Sequence, residues 1–425
     1  MRLCPVRGSM SLLSAWLLAP LIVDAYAMRD RPERIDRLAQ MRPSAIREVH
    51  NLAQRLKHRH ASTELIPLHF GESSLGTPPF IVEAACDALR QGAVFYENNG
   101  GRDDLKQALA DFYRQRYSVD VASDQFVITC GATQAILLTM LAVLSPGDTM
   151  INVTPNWPNF TEAARIAGAT VEDVPLQFDL QRHVFELDFD RLQAVITQAE
   201  SPRLLVVNSP SNPTGWVITS SQQQQLFELC ARYGLILLSD EIYDRIVFSE
   251  SRSPTALDLA DELDLIVVIN GFSKTYCMTG WRLGYLMTSS ERAQQMARMQ
   301  EFVVSHAPSM AQVAALTALR EGEPWIAENL DRYCSLRDLV HDELSVLPGA
   351  DIARADGSFY TFFRLPQSRD SLDFCERLVA STGVVLAPGC AFGAGGEGWL
   401  RLCFAHEPQL LKSAIAGLHD FVADG

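Results

Sequence analysis

The sequence predicts an α/β protein: a mostly parallel, seven-stranded sheet sandwiched by helices, followed by a smaller α+β region. Three observations predict it. Seven short apolar runs, at residues 126–130, 149–153, 170–174, 204–207, 235–239, 265–269 and 283–287, have the length of buried strands. Helical segments at 134–144, 159–167, 189–198 and 222–233 separate most of them, and that alternation is the pattern of a parallel sheet covered on both faces. Beyond residue 290 the pattern turns to long helices near 293–305, 310–321 and 324–347, then to strands near 359–363 and 400–404.

The other elements follow in order. Residues 29–60 are polar and helix-prone, and the basic cluster from Arg55 to His60 reads as a solvated helix end with cations near its C-terminus. Residues 65–70 form a short extended run. Pro78-Pro79 opens a helix, 95–101 is a loop by its Asn and Gly content, and 102–117 is an amphipathic helix. The helix at 222–233 takes its cap from Thr219, Ser220 or Ser221.

Length and composition bound the classes. The 425 residues, 48% hydrophobic and 20% charged, suit one large domain plus a smaller one. We expect a leader at 1–27, an N-terminal segment at 28–75 that joins the small domain, a large domain at 76–305 and a small domain at 306–425. The 51 acidic against 36 basic side chains give −15, which argues against nucleic acid or an anionic membrane as partner. Nine cysteines, odd in number and without a C-x-x-C, read as reduced thiols rather than a disulfide framework or metal site. Residues 1–27 have the layout of a secretory signal peptide: Arg2 and Arg7, an apolar stretch at 12–23, then Ala25-Tyr26-Ala27. The stretch is too short for an ordinary membrane span. The competing reading is an upstream extension with Met28 as the working start. The thiols favour the cytoplasm, with export as the alternative.

In an open parallel sheet, ligands bind beyond the carboxyl ends of the strands. Each end here is followed by a distinctive cluster. Gly131-Ala132-Thr133 opens a helix, and free N–H groups at a positive helix end suit a phosphate. Trp157 can stack on a flat ring. In Asn208-Ser209-Pro210-Ser211-Asn212-Pro213-Thr214-Gly215 the prolines lock the loop and leave the Asn212 amide to donate. Asp240 ends a fully apolar strand, where a carboxylate is costly unless a cation or donor meets it, and Tyr243 can aim at the same place.

The stretch from Asn270 to Tyr285 holds Lys274 and Arg282 among Gly271, Gly280 and Gly284. A lysine delivered there by a buried strand is placed to be desolvated and nucleophilic. The glycines are expected to let backbone pass close to a planar group. Each feature alone has a plain structural reading, as cap, core aromatic, turn or ion pair. Together they are the set a pyridine aldehyde phosphate needs: lysine for a Schiff base, carboxylate for the ring nitrogen, donors for the ring oxygen, turn and arginine for phosphate.

Those motifs resemble the fold-type I, class I/II pyridoxal-phosphate aminotransferases, in the branch of prokaryotic aspartate and aromatic enzymes. The carriers are Ser211-Asn212-Pro213-Thr214-Gly215, Asp240-Glu241-Ile242-Tyr243, and Ser273-Lys274-Thr275-Tyr276 through Gly280-Trp281-Arg282-Leu283-Gly284-Tyr285. The resemblance covers about residues 40–420 and implies ping-pong transamination between an α-amino acid and a 2-oxo acid. It makes Lys274 the Schiff-base lysine and general base, and Asp240 the partner of the ring nitrogen. Asn212 and Tyr243 contact the ring oxygen and Trp157 stacks on the ring. Gly131, Ala132, Thr133, Ser273 and Arg282 surround phosphate. Tyr96 reaches the phosphate of a neighbouring subunit, which implies a homodimer. Gly71, Asn212 and Arg401 line the substrate carboxylate pocket.

Two departures matter. Gly71-Glu72-Ser73-Ser74-Leu75 stands where the family often has Gly-Glu-Pro-Asp-Phe, and Glu97-Asn98-Asn99-Gly100 replaces a more apolar loop. Both flank the substrate pocket, so the resemblance implies no side-chain preference, and no second substrate arginine is assigned. The rival fate of the same chemistry is β-elimination. From another class, a cofactor-binding regulator would carry a DNA-binding module in front, and the first 60 residues hold no helix-turn-helix pattern.

Overall fold

A computed structural model describes residues 41, 43–59, 64–249, 252–259 and 263–424. The expected leader at 1–27 lies outside them, as does part of the polar segment at 29–60. Strand β1 (Ile66–Pro67) precedes the central sheet. That sheet contains β2 (Phe126–Thr129), β3 (Thr149–Thr154) and β4 (Thr170–Pro175). After a hairpin of β5 (Gln177–Asp179) and β6 (Val184–Glu186), it is completed by β7 (Pro202–Asn208), β8 (Ile236–Asp240), β9 (Ile266–Gly271) and β10 (Gly284–Met287). The spatial order is β2-β10-β9-β8-β7-β3-β4. Only β10 runs antiparallel to its neighbours. The seven expected runs are the seven strands, so the α/β architecture with a mostly parallel sheet is the observed one.

Both faces are apolar because both are covered. Leu204 and Val206 of β7 belong to one buried cluster with Ile136 and Met140 of the helix Ala132–Val143. Leu205 and Val207 point the other way, into a cluster with Leu226 and Leu229 of the helix Ser220–Tyr233. This period-two alternation between two dry faces is why the strands read as continuous apolar runs. Thr219 caps the latter helix reciprocally: its Oγ1 accepts from the Gln222 amide at 3.2 Å, and Gln222 Oε1 accepts from the Thr219 amide at 3.0 Å.

A second, antiparallel sheet has the order β11-β12-β15-β14. Its strands are β11 (Asp351–Ala353), β12 (Tyr360–Arg364), β14 (Ala387–Pro388) and β15 (Trp399–Cys403), while β13 (Val384–Val385) pairs in parallel with β1. Val49 and Ala53 of the helix Ala45–Arg59 share one buried apolar cluster with Leu378, Leu400 and Leu418. Among the described residues, no helix is long and apolar enough to cross a membrane.

Candidate active site

The parallel strands place their carboxyl ends on one rim. Asn208 ends β7 and faces Asp240 at the end of β8, so the two polar side chains arrive side by side. The loops beyond that rim meet the second sheet around a cavity of about 650 Å³. Its wall includes Gly71, Ala132, Thr133, Trp157, Asn212, Asp240, Tyr243, Ser273, Lys274, Arg282 and Arg401. Gly131 stands directly behind that wall, because a Cβ on it would lie 2.5 Å from Arg282 Nη2. Tyr96 is the exception among the expected residues. It is 90% exposed, away from this cavity, with its ring edge-on to His306 at 5.8 Å.

Lys274 follows β9 directly. Its Nζ donates to the Gly71 carbonyl at 2.7 Å. The residue is only partly buried by area, but the amino end is the enclosed part, and desolvation lowers its pKa to about 8. Asp240 is buried, and burial pushes its carboxyl up to about 7, against the pull of the Ile242 amide and Lys274. The donor it meets is that amide, 3.1 Å from Oδ1. Asn208, which sequence reasoning missed, braces this corner: its Nδ2 donates to the Asp240 carbonyl at 3.1 Å and its Oδ1 accepts from the Asn212 amide at 2.8 Å.

Arg401 sits on β15, opposite Phe362. Its Nη1 donates to Asn212 Oδ1 at 2.7 Å and its Nη2 donates to the His69 carbonyl. Its guanidinium lies between two aromatic faces, 4.4 Å from the Tyr360 centroid and 4.9 Å from that of Phe392. The buried Nε has no partner, so this arginine is held in place with donors to spare. Asn212 is oriented by the same contact, with Oδ1 on Arg401 and the Nδ2 hydrogens left over.

The glycines near Lys274 behave differently from expectation. Gly271 and Gly284 are register partners, and a Cβ on Gly284 would lie 2.5 Å from the Ala132 nitrogen. The close approach is therefore of backbone to backbone, beneath the helix Ala132–Val143, rather than of backbone to a planar ligand. Gly280 has open space around it. The left-handed conformations in this stretch belong to Cys277 (φ 53°) and Arg282 (φ 54°), neither of them glycine. Arg282 is tied in that conformation by Nη1 donating to the Thr279 carbonyl at 2.9 Å.

Pyridoxal phosphate fits this donor set. The first amides of the helix Ala132–Val143 have no carbonyl of their own turn to reach, and Arg282 stands against that turn. A buried carboxylate with one amide donor has room for a cationic ring N–H. Trp157 lines the same cavity, its ring perpendicular to that of Phe160 with the centroids 6.4 Å apart. Wall residues not found from sequence include Tyr360 and His69. Tyr360 lies within an apolar strand and looks like core.

Comparison with known proteins agrees with the geometry. The family model for aminotransferase class I and II matches residues 63–418. A probable aspartate aminotransferase of Methanocaldococcus jannaschii is 31% identical, over 89% of this chain and 97% of its own length. Aromatic-amino-acid aminotransferase 2 of Thermococcus litoralis is also 31% identical, over 89% of this chain and 96% of its own. The crystal structure of an aspartate aminotransferase from Thermotoga maritima superposes with a TM-score of 0.84 at 31% identity, covering 91% of this chain and 99% of that one. Fold, strand-end constellation and relatives agree, and the chain belongs to the class I and II aminotransferases, pyridoxal-phosphate-dependent enzymes that move amino groups between amino acids and 2-oxo acids.

Proposed function

We propose that this aminotransferase works by two half-reactions through Lys274, with the substrate α-carboxylate held by Arg401. The observation that carries the reading is the meeting of Lys274, Asp240 and Arg401 on one cavity wall. Bound pyridoxal phosphate supplies an aldehyde carbon and a ring that accepts electrons. Lys274 Nζ would hold that carbon covalently at rest. Released by the incoming amino group, the same nitrogen would take the proton from the substrate Cα and later return it, and a pKa near 8 suits both tasks. Asp240 would hold the ring nitrogen protonated. Asn212 Nδ2 and the Tyr243 hydroxyl would donate to the ring oxygen, and Trp157 would stack on the ring. The Ala132 and Thr133 amides, in the turn opened by Gly131, would hold phosphate with Ser273 and Arg282. Arg401 offers a planar fork to the substrate carboxylate, beside Gly71 and Asn212.

The same proposal includes a homodimer with Tyr96 donated across the interface. Val94, Phe95 and Tyr96 are 64%, 78% and 90% exposed, and Phe302 and Val303 are 87% and 52% exposed. The two stretches adjoin, since Ser309 Oγ donates to the Phe95 carbonyl at 3.1 Å and Asn99 Nδ2 to Glu301 at 3.1 Å. A contiguous apolar face of that kind is a protein contact surface. The split into a large domain at 76–305 and a small one at 306–425, joined by 28–75, belongs to this reading. The cluster shared by Val49, Ala53 and the C-terminal strands supports it.

Borohydride reduction of the loaded enzyme, followed by peptide mass analysis, tests the core of the proposal. The cofactor mass is expected on Lys274, and Lys274→Ala should lose both that label and nearly all turnover. Retained turnover in the variant, with no reducible bond at this position, would overturn it. A 2-oxo acid plus aminated cofactor as products, rather than pyruvate plus ammonia, separates transamination from elimination.

A further inference from the structure

Tyr360 touches three parts of the site at once. Its hydroxyl lies 2.6 Å from the Tyr243 hydroxyl, and both residues are buried. Its ring carries the Arg401 guanidinium 4.4 Å from the centroid. Its hydroxyl also occupies the space above Gly71, where a Cβ would lie 1.9 Å away. Gly71 in turn accepts from Lys274 through its carbonyl. The position is set by register: Tyr360 opens β12 opposite Cys403, two places along from the pair Phe362–Arg401.

The hydroxyl pair has two possible arrangements, and they have opposite consequences. A phenol carries one proton. If Tyr243 donates to Tyr360, it has no proton left for a ring oxygen in the cavity. If Tyr360 donates to Tyr243, the Tyr243 proton is free to point into the cavity, and it is polarised by the bond it receives. A cation lies over each ring, Arg401 4.4 Å from the Tyr360 centroid and Lys274 Nζ 5.8 Å from that of Tyr243; the nearer guanidinium draws more electron density from Tyr360 and makes it the better donor of the two.

We propose that Tyr360 is a positioning residue: it donates to the Tyr243 oxygen and so aims the Tyr243 proton at the cofactor's ring oxygen. The inference rests on the proposed roles of Lys274 and Tyr243. It assigns to the second sheet, which supplies Arg401, a further task of orienting a proton at the floor of the cofactor site.

The test is a spectroscopic pH titration of the holoenzyme, following the visible absorbance of the Lys274-linked cofactor. Tyr360→Phe keeps the ring beneath Arg401 and removes only the hydroxyl. With weaker donation to the unprotonated ring oxygen, its midpoint should rise by about half a pH unit, roughly a threefold change in the protonation constant. Tyr243→Phe should raise it further, and the double variant should match Tyr243→Phe alone, because Tyr360 acts only through Tyr243. A midpoint that falls would mean that Tyr243 donates to Tyr360, and the proposal is wrong. An unchanged midpoint, or shifts that add in the double variant, would also overturn it. The wild-type band itself tests the underlying reading: its absence, or its persistence in Lys274→Ala, overturns the Lys274 assignment and the inference with it.

Discussion

Lys274 Nζ donates a 2.7 Å hydrogen bond to the Gly71 carbonyl, joining the turn after β9 to a segment 203 positions earlier. The bond fixes where the amine points, while desolvation lowers its pKa to about 8. A lysine reacts with an aldehyde as the neutral amine. The rate at which cofactor-free enzyme binds the aldehyde covalently should therefore rise with pH up to about 8 and then level off. Stopped-flow absorbance across pH 6–11 (roughly the span between the reference pKa values of His and Lys) checks this. A rate still climbing at pH 10 would show an ordinary, solvated lysine.

Gly71 leaves no room for a side chain. A Cβ there would lie 1.9 Å from the Tyr360 hydroxyl and 2.9 Å from its Cζ. The ring cannot simply swing away, because Arg401 packs on its face and Tyr243 bonds its hydroxyl. Gly71→Ala should cost about 1–3 kcal/mol of stability, as overpacking does, and displace the carbonyl that holds Lys274. Denaturant unfolding together with turnover measures both. A variant with wild-type stability and activity would mean that the segment is looser than its contacts imply.

These contacts divide what could be read in the chain from what could not. The strand-end clusters were legible as a set, because each short apolar run is followed by polar residues that are ordinary alone and fit one ligand together. Lys274, Asp240 and Asn212 emerged that way. Tyr360 did not, because β12 is buried throughout most of its length and a tyrosine there looks like its neighbours Phe359 and Phe362. Its role depends on lying diagonal to Arg401 across the antiparallel pairing of β12 with β15, which is a long-range fact. The expectation for the glycines missed for a related reason: Gly284 serves the crossing of β10 beneath the helix Ala132–Val143, a contact between elements distant in sequence.

Arg401 depends on its shape as much as on its charge. It is held by Asn212 and His69, between the Tyr360 and Phe392 rings. Lysine keeps the charge but cannot stack flat or offer a fork. Arg401→Lys should lower kcat/KM about a hundredfold, about 3 kcal/mol, with the loss mainly in amino-acid binding. The cofactor absorbance should remain, since the proposed role of Arg401 is to hold substrate rather than cofactor. A loss of less than about fivefold, roughly 1 kcal/mol, would show that another group takes the carboxylate.

Asp240 sets function against stability. Burial raises its folded-state pKa from 3.8 to about 7 in the protein alone. Between those values the folded chain keeps a proton that the unfolded chain has lost, so stability falls as pH rises. The cost is absent below pH 4 and complete above pH 7. Asp240→Asn removes the charge and keeps an oxygen for the Ile242 amide. The cofactor-free variant should therefore be more stable than wild type at pH 8, by on the order of 2–4 kcal/mol, and the gain should shrink at pH 5. Turnover should collapse in the same variant, because a neutral amide cannot hold the ring nitrogen protonated. Urea unfolding at the two pH values, with activity measured in parallel, checks both signs. A variant less stable than wild type at pH 8 would mean that Asp240 already has a compensating partner in the folded chain.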